Sequence, residues 1–192
     1  YVTGAIASRY DESAVTPVFG LVVKPGKGVS LYANRIEGLQ QGPTAPLDPT
    51  ISNPGEVFGP TKSKQVELGG KFQLGRLNAS VAVFRIKRPS AFAVPDAATP
   101  GLLRFGLFGE QRNQGVEFTL DGEVARGLRL IAGASYLDAE LTGTPNGSAD
   151  GNDAPGVPNL LANANVEYDV PAVRGLTLTG RVVATGRQPV DA

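Results

Sequence analysis

A loop rich in carboxylates and amides is the first place where this sequence could do chemistry. Asp150 and Asp153 stand there beside Asn146 and Asn152, among glycines, and such side chains are typical calcium ligands. A calcium loop needs a fixed alternation of these ligands and a distal Glu, and both features are missing. The sequence therefore favours a flexible polar loop in water, and we predict no metal ligand in the chain.

Carboxylates at alternating positions are the second candidate, because two of them could act as general acid and base. The four residues are Glu67, Glu117, Asp121 and Glu123. We instead predict that they line a polar surface and pair with basic residues of neighbouring strands, such as Lys71 and Arg129. The chain has no His and no Cys, which excludes Ser-His-Asp and Cys-His nucleophiles. We expect no catalytic residue, no cofactor and no enzyme activity.

The segments that carry these residues alternate apolar and polar side chains with a period of two. Between residues 115 and 124, for example, Val116, Phe118 and Leu120 alternate with Glu117 and Thr119. Such a pattern is typical of a strand with one apolar and one polar face. It predicts strands at residues 17–24, 29–36, 63–74, 77–87, 115–124, 128–141, 159–170 and 176–187.

The connections between these strands alternate between short and long. Glycines that need unusual backbone angles mark the short turns, namely Gly26, Gly28, Gly127 and Gly175. Long irregular stretches at 37–62, 89–112 and 142–157 separate the hairpins, although loops beyond about 15 residues are uncommon in compact soluble domains. Long loops at one end of a meander and short turns at the other are typical of outer-membrane β-barrels.

Short stretches along nearly the whole chain carry a resemblance to a known family. In chain order they are TPVFGLVVKP (16–25), VSLYAN (29–34), EGL (37–39), PTKSKQVELGGK (60–71), FRI (84–86), QRNQGVE (111–117), GASYLDA (133–139), GVPN (156–159) and EYDVP (167–171). Their order and spacing make the chain resemble the second half of the barrel of a TonB-dependent siderophore receptor of the ferrichrome or ferric-pyoverdine type.

The resemblance implies an all-β fold, an antiparallel up-and-down meander of about eight long strands. These strands would form an arc of a 22-stranded transmembrane barrel with a plug in its lumen. Residues 1–192 would then be part of the barrel domain, and the plug, the TonB box, the early strands and the closing strand would lie outside this chain. The implied location is the outer membrane of a Gram-negative bacterium.

The implied function is TonB-dependent uptake of ferric siderophore complexes by the whole receptor. Its partners would be the ferric siderophore at the extracellular loops, the receptor's own plug, the TonB complex, outer-membrane lipid and lipopolysaccharide. No nucleic acid is expected, because 18 Lys and Arg residues balance 18 Asp and Glu residues.

Two groups of residues could contact ligands in such a receptor. The aromatic residues Phe92, Phe105 and Phe108, in a predicted loop, could touch a siderophore, although packing within the loop is favoured. A basic group could attract an anionic ferric complex, contact lipopolysaccharide phosphates or bind nothing, and the sequence leaves these three alternatives open. Its members are Lys62, Lys64, Arg85, Lys87 and Arg88.

A different class of protein fits the same alternation, namely a structural or adhesion module. It would be a self-contained eight-stranded barrel or a soluble β-sandwich. The barrel requires the strand near Phe19 to pair with the strand near Val182, whereas the sandwich requires a second layer of protein on the apolar face. The small side chains of the polar face favour an arc of a wider barrel over a filled eight-stranded one.

Overall fold

The computed structural model describes residues 11–190, which form one antiparallel sheet of eight strands. The sequence also assigns residues 1–10 and 191–192 to the barrel domain, and these residues lie outside the part of the chain that the structure describes. The strands are β1 (Val18–Gly26), β2 (Val29–Gln40), β3 (Thr61–Leu74), β4 (Leu77–Pro95), β5 (Leu103–Ala125), β6 (Leu128–Thr142), β7 (Leu160–Asp169) and β8 (Thr177–Thr185). A single 3-10 turn, Pro145–Gly147, interrupts the loop before β7.

The strands lie in the sheet in the order in which they follow in the chain, from β1 to β8. This confirms the predicted up-and-down meander. Within residues 11–190, β1 pairs only with β2 and β8 only with β7, so the sheet has two free edges. The described residues form no second sheet either, and both the self-contained barrel and the sandwich are therefore wrong for this chain.

Short turns join the strands of each hairpin where the sequence predicts them. Gly28 and Gly127 adopt φ values of 74°, a left-handed conformation that glycine reaches without a steric penalty. Gly175 does the same in the turn before β8, with φ of 82°. The prediction of an unusual backbone angle is wrong for Gly26. This residue ends β1, and its φ is not positive.

The hairpin of β4 and β5 is much longer than predicted. The stretch 89–112 is largely strand, and only residues 96–102 connect β4 to β5, so the prediction of a long loop is wrong here. Pairing of β3 with β4 ends at Lys64 and Lys87, and β4 is an edge strand beyond that point. Proline is tolerated on an edge strand, which explains how Pro89 can pair with Glu110 inside the ladder.

The other two long connections are confirmed, with shifted ends. They cover residues 41–60, because β2 continues to Gln40, and residues 143–159, because β7 begins only at Leu160. All three connections follow even-numbered strands and therefore lie at the same end of the sheet.

Most large apolar side chains of this sheet are uncovered. Phe118 is 45% exposed and Leu178 is 55% exposed, and no large side chain of the described residues is fully buried. Three of the few buried apolar residues, Ala139, Leu141 and Ala154, form a small cluster where the loop 143–159 meets β6. Among residues 11–190, no helix is long and apolar enough to cross a membrane.

Candidate functional site

The two faces of the sheet differ sharply in chemistry. Residues that lie directly opposite each other in a ladder point to the same face, so each row of register partners belongs to one face. One row is almost entirely apolar and crosses all eight strands. It contains Val23, Leu31, Gly70, Val81, Phe118, Ala134, Ala162 and Ala184. We call the face that carries this row the apolar face.

Polar and small side chains fill the opposite face. Its neighbouring row contains Ser30, Lys71, Ser80, Thr119, Gly133 and Asn163. Ser80 and Thr119 share a hydrogen bond of 2.6 Å between their hydroxyl groups, and Asn78 donates to Asp121 at 3.0 Å. We call this the polar face, and it has the composition of a surface in contact with water.

The four predicted carboxylates all lie on the polar face, but their partners differ from the prediction. Glu123 pairs with Arg76 at 2.6 Å and also accepts a hydrogen bond from the backbone of Gly127. Lys71 pairs with none of these carboxylates, and its Nζ lies 5.6 Å from the centroid of the Tyr32 ring. Lys71 and Glu67 lie on the same strand, β3, so they are not the pair on neighbouring strands that the prediction requires.

Arg129 binds two carboxylates of β7 instead of those on β5. Its Nε donates to Glu167 at 3.1 Å, and its two terminal nitrogens donate to Asp169 at 2.8 and 3.0 Å. The prediction that Arg129 forms ion pairs on the polar face is confirmed, although the partner residues are different. These groups join neighbouring strands and are not arranged as an isolated acid–base pair.

The three aromatic candidates lie on strands and do not form one cluster. Phe92, on β4, packs against the buried group around Leu141. Phe105, on β5, meets Phe58 of the loop 41–60 edge to face, with ring centroids 6.0 Å apart. Phe108 remains 37% exposed. Packing within the protein thus occupies two of the three, and their contact with a ligand stays a prediction.

The basic group is divided between the two faces. Lys64 and Lys87 lie opposite each other on the apolar face, and Arg85 lies there opposite Val66. Lys62 is two residues from Lys64 and shares this face. Arg88 lies on the polar face, where it donates to Gln111 at 3.0 Å. The period of two, applied to the basic residues themselves, would have predicted this division.

A row of charges on the apolar face was not anticipated from the sequence. It runs across five strands through Glu37, Lys64, Lys87, Arg112 and Glu140. Lys87 pairs with Glu110 at 2.8 Å, and Arg112 pairs with Glu140. This charged row lies between the apolar row and the long loops.

The loop with the predicted calcium-like residues is folded against β6. Ala154 donates its backbone N–H to Ala139 at 2.8 Å and is only 1% exposed. The four polar residues themselves, Asn146, Asp150, Asn152 and Asp153, are exposed, as expected for a polar loop in water. Asp150 accepts hydrogen bonds from the backbone and the hydroxyl of Thr144, which hold its pKa below the ordinary value. Residues 11–190 contain no group of three or more Asp or Glu side chains placed to hold a metal ion.

Comparison with known proteins agrees with this architecture. The family model described as "TonB dependent receptor-like, beta-barrel" matches residues 2–192. The ferrichrome receptor FcuA of Yersinia enterocolitica is 42% identical over 185 residues, which cover 95% of this chain and 24% of that protein. The metal-pseudopaline receptor CntO of Pseudomonas aeruginosa is 30% identical over 142 residues, covering 73% of this chain and 19% of that protein.

Among solved structures, the crystal structure of BauA, the ferric preacinetobactin receptor from Acinetobacter baumannii, matches with a TM-score of 0.76 at 42% identity. The match covers 92% of this chain and 26% of that one. An open up-and-down meander with one apolar and one polar face is the architecture of a β-barrel wall. The chain belongs to the TonB-dependent receptor-like β-barrel family. It spans about a quarter of the length of FcuA and of BauA.

Proposed function

We propose that this chain is a run of eight strands from the 22-stranded barrel of an outer-membrane receptor that takes up ferric siderophore complexes in a TonB-dependent manner. The observation that carries the proposal is the division of one sheet into an apolar face and a polar face. Relatives support the cargo class, since FcuA is named a ferrichrome receptor and BauA the ferric preacinetobactin receptor.

In this proposal the apolar face contacts outer-membrane lipid and the polar face lines a wide bore. Exposed residues such as Phe118 and Leu178 would be unfavourable in water over so large an area but are favourable in hydrocarbon. A charged residue at the middle of the bilayer costs about 2–4 kcal/mol when it is Lys or Arg. The central apolar row that includes Val81 and Phe118 contains none.

The polar face suits a bore that holds another part of the receptor. The polar face carries several small residues whose side chains project little into the bore and leave room for a plug domain. They include Ala82, Gly115, Gly133 and Ser135. Ion pairs such as that of Arg129 with Asp169 brace adjacent strands without blocking the bore. The plug and the contact with the TonB complex belong to parts of the receptor other than these residues.

The connections 41–60, 96–102 and 143–159, which all lie at one end of the sheet, face the outside of the cell in this arrangement. Phe108 is the aromatic candidate that stays accessible for a siderophore, whereas Phe92 and Phe105 shape the surface through their packing. The receptor binds and moves its cargo without a catalytic step, and no enzyme activity is proposed.

Uptake of radioactive iron loaded on ferrichrome tests the function in cells that produce the complete receptor. We expect uptake that requires both the receptor and an intact TonB complex. Uptake that persists without TonB would contradict the proposal, and failure with every ferric siderophore tested would contradict its cargo class. The metal-pseudopaline relative makes other metal complexes the next cargo to test.

Cysteine labels test the orientation independently. The chain has no Cys, so single labels at Asn146→Cys and Arg126→Cys report on the two ends of the sheet. A membrane-impermeant reagent added to intact cells is expected to modify position 146 and spare position 126. Equal labelling of both positions would contradict the proposed topology.

A further inference from the structure

We propose that the polar face carries a binding site for a small anionic ligand, in a hollow beside the short turn between β1 and β2. Three lysines line this hollow, namely Lys24, Lys27 and Lys71, and we call them the lysine trio. The short turns lie at the periplasmic end in the proposed function, so the ligand would be a negatively charged metal complex that leaves the bore. The inference rests on the proposed function and adds a site and a charge requirement to it.

The carboxylates nearest to the other short turns are held by arginines. Arg129 pairs with Glu167 and Asp169, and Arg76 pairs with Glu123. Two arginines thus hold three carboxylates on the polar face, and none of these carboxylates pairs with the lysine trio.

The lysine trio has no carboxylate partner of its own. Within residues 11–190, none of its members forms an ion pair. Lys71 lies over the Tyr32 ring, a contact that leaves its positive charge without a counter-charge. Asp121 is the one carboxylate among the described residues that line the hollow, and it accepts a hydrogen bond from Asn78. Three positive charges therefore face the hollow against one negative charge.

Short polar side chains form the floor of the hollow. Ser30 lies opposite Lys71, which in turn lies opposite Ser80, and Thr119 is the register partner of Ser80 on β5. Their hydroxyl groups can donate to a ligand, and the amide of Gln73 adds a further donor. The hollow has a volume of about 700 Å³. Small-molecule sites typically have volumes of roughly 300–1,000 Å³, so a metal chelate can enter.

The chemistry of these donors selects for charge. A lysine ammonium group is a strongly hydrated point charge on a flexible stem, whereas arginine presents a planar fork that matches a single carboxylate or phosphate. Three such flexible charges suit a bulky anion that spreads its charge over several oxygen atoms. Salt screens exposed charges beyond about 8 Å under physiological conditions, which keeps the binding weak. Weak binding is what a site on an exit path requires.

An acidic segment of the plug is a different occupant for the same charges. Such a segment would pack against the wall as one surface on another, and a level row of side chains would serve it. The lysine trio instead surrounds a concave space with short hydroxyl side chains at its floor. The shape therefore favours a small anion, and occupation by the plug is one of the outcomes of the test.

The test is lysine acetylation in the complete purified receptor, with the rate at each lysine measured by peptide mass spectrometry. The probe is a ferric tricatecholate, which is negatively charged. A ferric trihydroxamate, which holds the same metal in a neutral complex, is its matched control. Lys64 lies on the apolar face and serves as the internal control for reagent activity.

The anionic complex is expected to slow acetylation of the lysine trio by about tenfold at about ten times the half-maximal concentration, where roughly one site in ten stays free. The neutral complex should leave the rates unchanged, as should either complex at Lys64. Equal rates with and without the anionic complex would overturn the site. Slow acetylation of the trio in the absence of any probe would mean that the plug already occupies the hollow, and this would overturn the assignment to a small ligand.

Two variants test whether the charges themselves bind the probe, with Lys27 as the remaining reporter. Lys24→Gln/Lys71→Gln should abolish the protection of Lys27, whereas Lys24→Arg/Lys71→Arg should keep it. Protection that survives in the Gln variant would overturn the role of these lysines. Unchanged electrophoretic mobility before heating, as is typical of folded barrels, is required of both variants so that lost protection is not lost folding.

The outcome also separates this inference from the proposed function on which it rests. Protection is measured in the purified receptor and needs no transport. A receptor that takes up iron in a TonB-dependent manner but shows no protection lacks the anion site and keeps the proposed function. A receptor that shows protection but no TonB-dependent uptake has the anion site and contradicts the proposed function.

Discussion

Arg129 on β6 holds Asp169 on β7 through two hydrogen bonds of 2.8 and 3.0 Å, on the polar face of the sheet. The arrangement is bidentate, which gives an arginine–carboxylate pair defined geometry in addition to its charge attraction. Asp169 also accepts a hydrogen bond from Thr177 of β8 at 2.8 Å. One carboxylate therefore connects three consecutive strands next to their short turns.

Replacing Arg129 by Gln is expected to lower the thermal unfolding midpoint of the complete receptor in detergent by no more than a few degrees, because exposed ion pairs contribute little. The difference should shrink at high salt, which screens exposed charges. Arg126→Gln, in the adjacent turn, is the matched control and should leave the midpoint unchanged. An effect of Arg129→Gln that does not respond to salt would contradict an electrostatic role.

Placing a cation on the apolar face should impair insertion into a bilayer. Phe118→Arg is expected to cost about 2–4 kcal/mol of folding free energy in vesicles, the range for Arg near the bilayer midplane. Thr119→Arg puts the same side chain on the polar face one residue later and should cost much less. Folding titrations in urea with lipid vesicles measure both variants. Equal costs would mean that the two faces do not differ in environment.

Thr144 should control the titration of Asp150 in the loop 143–159. Its two hydrogen bonds hold the pKa of Asp150 below the ordinary value, and they favour the charged carboxylate. The contribution of these hydrogen bonds to the stability of the folded loop is therefore complete above about pH 4. It is lost as the pH falls through the lowered pKa that Asp150 has in the folded protein.

Carbon-detected NMR of the Asp150 carboxyl measures this effect. Thr144→Val removes the hydroxyl but keeps the backbone donor, and the pKa of Asp150 should rise partway towards its ordinary value. Asp48 in the loop 41–60 accepts its hydrogen bonds from Thr50 instead of Thr144, so its pKa serves as the internal control. An unchanged Asp150 pKa in the variant would show that the hydroxyl does not contribute.

The side chain of Asn53 should hold the loop 41–60 against the end of the β4–β5 hairpin through hydrogen bonds. Its side chain donates to the carbonyl of Phe105 and accepts from the amide of the same residue, both at 2.9 Å. Each such hydrogen bond contributes about 0.5–1.5 kcal/mol. Asn53→Ala is therefore expected to raise hydrogen exchange at the Phe105 amide by about five- to a hundredfold.

The control for this prediction is Asn152→Ala, in the loop 143–159, which should leave exchange at Phe105 unchanged. Mass spectrometry of exchanged peptides resolves the two loops. If Asn53→Ala does not alter exchange at the hairpin end, the loop is held by other contacts, such as the packing of Phe58 on Phe105.

The alternation of side chains was enough to predict most of the fold. Period-two patterns such as Val116, Phe118 and Leu120 report directly which face of a strand is apolar, and glycines such as Gly127 mark tight turns. Consecutive strands that a short turn joins pair with each other in an antiparallel sheet. The positions of the turns therefore predicted which strands are neighbours in the sheet. The family resemblance was then confirmed by the match over residues 2–192.

The long β4–β5 hairpin could not be predicted because its signal is non-local. Pro89 and Pro95 break the usual strand pattern, and only the loss of β3 as a neighbour makes them acceptable there. Ion-pair partners were missed for a similar reason. Arg129 on β6 and Asp169 on β7 are 40 residues apart, and the register between these two strands, which the loop 143–159 connects, is not written in their own sequence.

A nitroxide scan of β7 tests the central claim most directly, with single labels from Leu160 to Asp169 in the complete receptor reconstituted in lipid. Access to dissolved oxygen, which concentrates in hydrocarbon, and to a water-soluble nickel complex is measured at each position. Oxygen access should peak at Ala162, Ala164 and Val166, and nickel access at Asn163 and Asn165. Equal access along the strand, or peaks in the opposite phase, would contradict a wall with lipid on one face and water on the other.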